Sequence, residues 1–378
     1  MRPTLSSSVF GLSRRQLLKA SAAAVLTTPF VSRAWAATTE INMLAWYGHG
    51  EPDMVAEYEA ANNVKFVPKY YAGGDNMLAL IAQSPPGTYD LILSDGEFVQ
   101  QLNLAGYIDE MEPADYPLDD MLHEDFKQFP GHWAHGKMYS MMLRGGHLGV
   151  SYNKNSVTAE EAASYECFWK PELEGKVGHF DWHLPTLGMM SLYNGNGASL
   201  WDLDDAKWAA VQETTLGLRK QVGGFFDYGG TFNGLKNGDM QAMVGIGDWI
   251  TGVLEKDGAP VASVIPKEGG IQFTESYSIG KGSEKAAEVK KFIQYMMSPV
   301  GQVKSAQMAA YPGFCVTKAG RAALIEADLA EATRSHQIDG DAQDPITLIK
   351  EGRIHYRDIP QQQGLEDWND FWSEYKNA

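Results

Sequence analysis

Two short segments of the sequence combine side chains that could hold a small polar molecule. The run 46–49 (WYGH) offers aromatic faces and an imidazole, and the pair 94–95 (SD) offers a hydroxyl and a carboxylate. Each follows a stretch that predicts a β-strand, at 40–46 and 89–93. Ligands of open α/β sheets bind beyond the carboxyl ends of the strands. These positions predict five ligand-binding residues: Trp46, Tyr47, His49, Ser94 and Asp95.

A third segment, 179–183 (HFDWH), places His179, Asp181 and His183 at alternating positions. Alternate residues of a strand share one face, so two imidazoles and a carboxylate could bind one metal ion. The tyrosines at 70–71, near the end of another predicted strand, could add ligands for ferric iron. The competing interpretation is structural, because His183 stands where a helix is expected to begin. We assign no metal site and keep a metal ligand as an alternative.

Strands and helices alternate along the chain. Strands are predicted at 40–46, 64–71, 89–93, 176–181, 240–247 and 271–279, and helices at 52–62, 77–83, 97–105, 186–193, 204–222 and 284–297. Alternating units of this length indicate an α/β fold in which helices cover both faces of mostly parallel sheets. Strand ends recur in both halves, so two facing sets of loops could form a cleft.

The amino-terminal segment has the features of an export signal. Residues 1–36 carry five basic and no acidic side chains, and SRRQLLK at 13–19 precedes the apolar run 20–30. Ala34-Trp35-Ala36 then provides small residues for cleavage before Ala37. The adjacent arginines resemble a twin-arginine signal, which predicts a periplasmic protein. A membrane anchor is the alternative, but the apolar run is too short to span a bilayer of about 30 Å.

The rest of the chain is large and acidic. After residue 36 there remain 342 residues, more than one hydrophobic core usually organises, so two lobes are expected. They carry 26 basic and 48 acidic side chains, a net charge of −22. Such a charge argues against nucleic acid or an anionic membrane as partner and is compatible with a cationic ligand. No apolar run after residue 37 is long enough for a membrane helix.

Sequence motifs of enzymes are missing after residue 36. There is no G-x-S-x-G, H-E-x-x-H, P-loop or G-x-G-x-x-G. We therefore predict no catalytic residues and no cofactor, with an exported enzyme as a minor alternative. The cysteines, Cys167 and Cys315, lie far apart and form no C-x-x-C motif. A disulfide and two isolated buried thiols are both compatible with the sequence.

A series of segments resembles the periplasmic spermidine/putrescine-binding proteins of ABC transporters. In family order they are YDLILS at 89–94, GKMY at 136–139, GVSYNK at 149–154, WKPELEG at 169–175, IPKEGG at 265–270, FTES at 273–276 and YMMSP at 295–299. No single segment is decisive, but they cover most of the chain after residue 36. The resemblance identifies the chain as similar to receptors that deliver a small ligand to a membrane permease.

The resemblance implies a two-lobed periplasmic binding protein fold of type II. Each lobe would be a mixed, mostly parallel sheet flanked by helices, with the ligand in the cleft between them. One lobe would comprise 37–148 and 275–318, and the other 149–274 and 319–378. We expect a monomer that binds by lobe closure. The family places ligand-binding residues at positions that correspond here to Trp46, Ser94, Asp248, Phe273 and Glu275.

Departures from the family pattern concern the ligand. After the first aromatic residue the family has Ser and an acid, whereas this chain has Tyr47-Gly48-His49. Gly245 stands where the family has an aromatic residue. The best alignment puts His183 and Thr186 on two acidic positions of the family, with Asp181 and Trp182 just upstream. Fewer carboxylates imply fewer ammonium groups. We therefore predict a small organic cation, a polyamine or a related amine, with a zwitterion or a quaternary amine as alternatives.

Overall fold

The computed structural model describes residues 38–378, so the predicted export segment 1–36 lies outside the described residues. Within residues 38–378, no helix has the length and apolar character needed to cross a membrane. The cysteines of this part are both buried and unpaired, Cys167 in the core of one sheet and Cys315 on a strand of the other. The interpretation as two isolated thiols is therefore confirmed.

The described chain forms the following elements. The strands are β1 (Thr39–Ala45), β2 (Val64–Tyr70), β3 (Leu91–Asp95), β4 (Trp133–Ala134), β5 (Lys137–Met138), β6 (Met141–Leu148), β7 (Val150–Asn153), β8 (Val177–Phe180), β9 (Val222–Phe226), β10 (Ala242–Val244), β11 (Val261–Val264), β12 (Gly270–Ile279), β13 (Phe314–Cys315) and β14 (Ile354–Tyr356). The helices are α1 (Pro52–Asn62), α2 (Gly74–Ala82), α3 (Val99–Leu104), α4 (Glu124–Lys127), α5 (His183–Tyr193), α6 (Asp205–Gly217), α7 (Tyr228–Lys236), α8 (Asp248–Lys256), α9 (Ala286–Met296), α10 (Pro299–Ala306), α11 (Lys318–Ala327), α12 (Leu329–Arg334), α13 (Pro345–Lys350) and α14 (Leu365–Asn377).

The first lobe is built on a seven-stranded mixed sheet. Its order is β13-β6-β12-β3-β1-β2, and β14 pairs with β12. Strands β2, β1 and β3 are parallel, with α1 and α2 as the connecting helices. Parallel strands need such crossover connections, and their carboxyl ends then meet at one edge of the sheet. That edge carries the residues that follow β1 and β3.

Strand β12 is the centre of this sheet and is buried along its whole length. It runs antiparallel to both β3 and β6, and the register sets Glu275 opposite Asp95 on one side and Arg144 on the other. The sequence-based lobe boundary lies at residue 275. The strand, however, pairs with β6 from Ile271 onward, because a continuous ladder satisfies its backbone groups within the first sheet.

The second lobe is built on a five-stranded sheet in the order β11-β7-β10-β8-β9. Strands β10, β8 and β9 are parallel, whereas β7 is antiparallel to β10 and β11. The carboxy-terminal helix α14 packs on this lobe through Trp368, Phe371, Trp372 and Tyr375. The predicted two-lobed α/β fold with mixed sheets is confirmed. In both lobes, strands end at a common cleft.

The chain crosses between the lobes three times. The crossings lie between β6 and β7, between β11 and β12, and between β14 and α14. The first two run side by side, and glycine at position 149 permits the approach. A Cβ atom at Gly149 would stand 2.3 Å from the carbonyl oxygen of Val264. Close packing of the crossing segments thus depends on the absence of a side chain at Gly149.

Substitution at this crossing should destabilise the fold. We expect Gly149→Ala to lower the free energy of unfolding by about 1–3 kcal/mol, because the new methyl group must push backbone apart. The matched control is Gly217→Ala in α6, where an added Cβ meets its nearest neighbour at 3.9 Å. Its effect should stay within about 1 kcal/mol. Urea denaturation of both variants measures the difference, and equal stabilities would contradict the packing argument.

Candidate ligand-binding site

A cavity of about 330 Å³ lies between the two lobes. Nine of its lining side chains are aromatic: Trp46, Tyr47, Tyr71, Phe180, Trp182, Tyr228, Trp249, Phe273 and Tyr311. Three are charged: Asp95, Glu275 and Arg357. Enclosed pockets with an apolar wall and a few convergent polar groups are typical of small-molecule sites. This cavity is the candidate site.

Both lobes supply the wall from the ends of their strands. Trp46 and Tyr47 follow β1, and Asp95 ends β3. From the second lobe, Phe180 ends β8 and Trp249 stands in the first turn of α8. The strand-end rule applied to the sequence therefore leads to the wall of one cavity, because the two sets of carboxyl ends face each other.

Glu275 is the centre of a buried network in the first lobe. Its Oε2 atom accepts from Arg144 Nε at 2.6 Å and contacts His49 Nε2 at 3.0 Å, and its Oε1 atom accepts from the Tyr311 hydroxyl at 2.7 Å. Arg144 also donates to the carbonyl of Ser305 at 2.8 Å and lies over the Tyr311 ring at 4.4 Å. The carboxylate is thus held in place by three side chains.

The electrostatics of this network follow from its pairing. Burial opposes ionisation of Glu275, but the Arg144 guanidinium and the hydrogen bonds from His49 and Tyr311 outweigh it and hold the pKa of Glu275 well below its usual range. Burial lowers the pKa of His49, although Glu275 opposes that shift. Glu275 is therefore an anion and His49 a neutral imidazole at neutral pH.

A second network lies around Arg357, which follows β14. Its Nη2 atom lies 2.9 Å from Asp95 Oδ1, and its Nε atom donates to Glu97. Asp95 Oδ2 also accepts from the indole of Trp46 at 3.2 Å. The guanidinium lies over the ring of Trp182 at 4.4 Å, so this network reaches from the first lobe to the second.

One guanidinium here serves two carboxylates, and this governs their protonation. Burial raises the pKa of Asp95 to about 8, because Arg357 offsets only part of the burial while Glu97 and Glu275 add repulsion. Burial raises the pKa of Glu97 as well, again opposed by Arg357. Without a further cation, this part of the site therefore holds a proton near neutral pH.

The eleven sequence-predicted residues occupy four kinds of position. Six line the cavity: Trp46, Tyr47, Asp95, Trp182, Phe273 and Glu275. Two lie behind its wall, since His49 and Ser94 are fully buried. Asp181 and His183 line a neighbouring groove with Trp372 and Lys376, and Asp181 bonds to both of those residues. Asp248 is in a bidentate ion pair with Arg334 at 2.7 and 3.0 Å.

The three residues considered for a metal do not converge. His179 bonds to the Tyr375 hydroxyl at 3.0 Å, whereas Asp181 accepts from Trp372 and Lys376. His183 is buried at the start of α5. Among residues 38–378, no group of three or more His, Cys, Asp or Glu side chains has the geometry to hold a metal ion.

Several wall residues were not predicted from the sequence. Tyr71 directly follows β2, which is the signal that could have identified it, whereas Trp249 stands in the first turn of α8. Arg144, which lies behind the wall, is part of β6. Tyr311 and Arg357 follow elements that are distant in sequence from the acids they contact. No local pattern marks these three residues, because their partners are set by tertiary packing.

Removing one member of the Glu275 network should be costly. We expect Arg144→Met to lower the free energy of unfolding by about 3–5 kcal/mol, because it leaves a buried carboxylate without a counter-ion. Lys65→Met is the control, since Lys65 pairs with Glu59 at the surface and should contribute less than about 1 kcal/mol. Adding Glu275→Gln to Arg144→Met should restore part of the loss. Denaturant unfolding checks this, and no recovery in the double variant would contradict the ion-pair explanation.

Comparisons with known proteins agree with this architecture. The profile of the family described as bacterial extracellular solute-binding protein matches residues 53–332. The spermidine/putrescine-binding periplasmic protein 1 of Haemophilus influenzae is 24% identical over 281 residues, which cover 73% of this chain and 76% of that protein. The spermidine/putrescine-binding periplasmic protein of Escherichia coli is 23% identical over 277 residues, covering 71% of this chain and 75% of the relative.

A solved structure shares the fold. The spermidine/putrescine ABC transporter substrate-binding protein PotD of Streptococcus pneumoniae superposes with a TM-score of 0.72 at 15% sequence identity, covering 90% of this chain and 99% of that one. The resemblance inferred from the ordered sequence segments is thereby confirmed. Family profile, relatives and fold agree: the chain belongs to the bacterial extracellular solute-binding protein family.

Proposed function

We propose that this protein is the substrate-binding component of an ABC importer and captures a small organic cation, a polyamine or a related amine. The observation that carries the proposal is the interlobe cavity, in which nine aromatic side chains meet two carboxylates. Aromatic faces attract cations, and carboxylates bind ammonium groups through charge-assisted hydrogen bonds. The curated relatives named above are polyamine-binding proteins, which supports the same ligand class.

Lobe closure is the proposed mechanism of capture. The ring centroids of Trp46 in the first lobe and Trp182 in the second lie 6.1 Å apart. The Tyr228 hydroxyl in α7 of the second lobe donates to the carbonyl of Ala310 in the first lobe at 2.5 Å. A ligand that contacts both walls favours the arrangement in which they approach each other. The three crossing segments provide the hinge. The closed form would then dock on the permease.

Export to the periplasm is part of the proposal. The basic segment with its adjacent arginines and the A-x-A site support a twin-arginine signal, and the relatives are periplasmic proteins. We propose that the mature protein is a monomer and binds its ligand without chemical conversion. Mass spectrometry of the exported protein should find Ala37 as its first residue. Turnover of a bound ligand would contradict the receptor assignment.

A zwitterion is the second candidate, and Arg357 is the observation that favours it. This guanidinium lines the cavity and could pair with a ligand carboxylate. Asp95 and Glu97 already engage it, however, so a ligand carboxylate would enter next to two acids. A thermal-shift screen of amines, betaines, amino acids and metal ions separates these candidates.

The charge of Asp95 should contribute directly to affinity for a cation. Asp95→Asn keeps the shape of the side chain and an acceptor for the Trp46 indole but removes the negative charge. We expect about tenfold or greater loss of affinity, since a charge-assisted contact is worth about 1.5–3 kcal/mol. Glu275→Ala is a poorer test, because it leaves Arg144 unpaired. Calorimetry measures the effect.

The control for this variant is Asp257→Asn, an exposed acid that pairs with Lys236 at 3.5 Å outside the cavity. Its affinity should equal that of the wild type. Retained affinity in Asp95→Asn would remove this carboxylate from the ligand site. A loss of equal size in both variants would point to the overall charge of the protein instead.

Binding of a cation should release a proton. In the free protein the pKa of Asp95 is about 8, and a neighbouring cation favours the ionised form. Below pH 8 the proton must leave before the ion pair forms, so affinity should rise between about pH 6 and 8 and level off above. Calorimetry in buffers of different ionisation enthalpy counts the proton. An affinity independent of pH would contradict this linkage.

A further inference from the structure

The carboxylates of the cavity are engaged by protein donors and expose little surface to a ligand. Both oxygens of Glu275 accept from protein donors, and Asp95 contacts the Trp46 indole and the Arg357 guanidinium. Glu275 is 2% and Asp95 3% exposed. A primary ammonium carries three N–H donors and loses stability when they are buried without acceptors. These acids therefore act on a ligand mainly through their charge.

Aromatic rings at steep angles form a corner of the cavity around Trp249. The rings of Phe180 and Tyr311 lie 5.4 and 6.0 Å from Trp249 at interplanar angles of 79° and 78°. Tyr228 stacks beside Trp249 at 6.1 Å and 24°. All four rings line the cavity, where ring faces can contact a cation. Aromatic cages of this kind recognise quaternary ammonium groups without any N–H donor.

When all are ionised, the buried carboxylates around the cavity outnumber the buried guanidiniums by one. Three carboxylates, Asp95, Glu97 and Glu275, face two guanidiniums, Arg144 and Arg357. Arg144 balances Glu275. The surplus therefore lies on Asp95 and Glu97, which share Arg357. Asp95 lines the same cavity as the Trp249 corner. A single positive charge on the ligand completes the balance. A second ammonium would need another acid.

The second lobe offers no such acid at the cavity wall. Its contributions there are Phe180, Trp182, Pro185, Tyr228, Gly245 and Trp249. Among the acids next to these positions, Asp181 pairs with Lys376 and Asp248 with Arg334. Asp227 is exposed and caps the start of α7. A diamine or longer polyamine would therefore bury its far ammonium against rings alone, at a cost of several kcal/mol for an unpaired charge.

We infer that the preferred ligand is a small quaternary ammonium ion with one positive charge, held in the corner formed by Phe180, Tyr228, Trp249 and Tyr311. This inference rests on the proposed function and narrows its substrate class. The cavity of about 330 Å³ is near the lower end of the range for ligand pockets, which suits a compact ligand.

The test compares four ligands on the purified protein at pH 8 by calorimetry. Choline is the quaternary monocation, 3,3-dimethylbutanol its uncharged isostere, putrescine the diamine and glycine betaine the zwitterion. Choline should bind at least about tenfold more tightly than each of the others, which corresponds to about 1.4 kcal/mol. Tighter binding of putrescine or of glycine betaine than of choline overturns the inference but leaves the receptor function intact. Binding of none of the amines overturns both.

Variants of the Trp249 corner distinguish an effect on ligand binding from an effect on folding. Trp249→Phe keeps a ring and should retain choline binding within a few-fold, whereas Trp249→Ala should lose it by about tenfold or more. Trp169→Ala is the control, because Trp169 stacks on Tyr193 and does not line the cavity. Thermal unfolding verifies that each variant folds. Choline affinity unchanged in a folded Trp249→Ala overturns the cage.

Discussion

Two buried arginines hold the carboxylates around the interlobe cavity. Removing a carboxylate from water costs several kcal/mol, so a buried acid stays ionised only with a well-placed partner. Arg144 provides this partner for Glu275, and Arg357 is shared by Asp95 and Glu97. Because these contacts are made by groups of the protein itself, they fix the positions of the carboxylates. The unequal ratio of three acids to two arginines leaves room for one more positive charge.

The two lobes have different roles in this arrangement. All three acids and Arg144 belong to the first lobe, which therefore sets the charge of the site. The second lobe closes the cavity with Phe180, Trp182 and Trp249, which supply apolar surface and ring faces. A ligand must satisfy both walls at once. The most stable closed state is thus expected with a molecule that joins a positive charge to an apolar body.

For the same reason, the ligand of this chain does not follow directly from the ligands of its relatives. The relatives show that the fold is used by polyamine-binding proteins, but their identity to this chain is only 23–24%. In the second lobe, Asp181 and Asp248 are engaged with Lys376 and Arg334 instead of lining the cavity. Which amine is bound is therefore a question of side-chain geometry and not of fold.

The sequence by itself determined the α/β class, the two lobes and the family, because strand and helix periodicity and ordered segments are local properties. It also indicated six wall residues, among them Trp46 and Asp95, since side chains at strand ends share one edge of a sheet. Helix and strand limits differed by a few residues, as at α5, which begins at His183 and not at 186.

Only the tertiary structure decided which acids carry free charge. Glu275 meets Arg144 through the register of β12 with β6, and Glu97 meets Arg357 across 260 positions of sequence. Such pairs depend on the packing of distant elements, and no local pattern encodes them. Burial then sets the protonation of each group. The carboxylates that suggested an amine site in the sequence are paired with arginines in the structure. This pairing is the basis for proposing a ligand with a single positive charge.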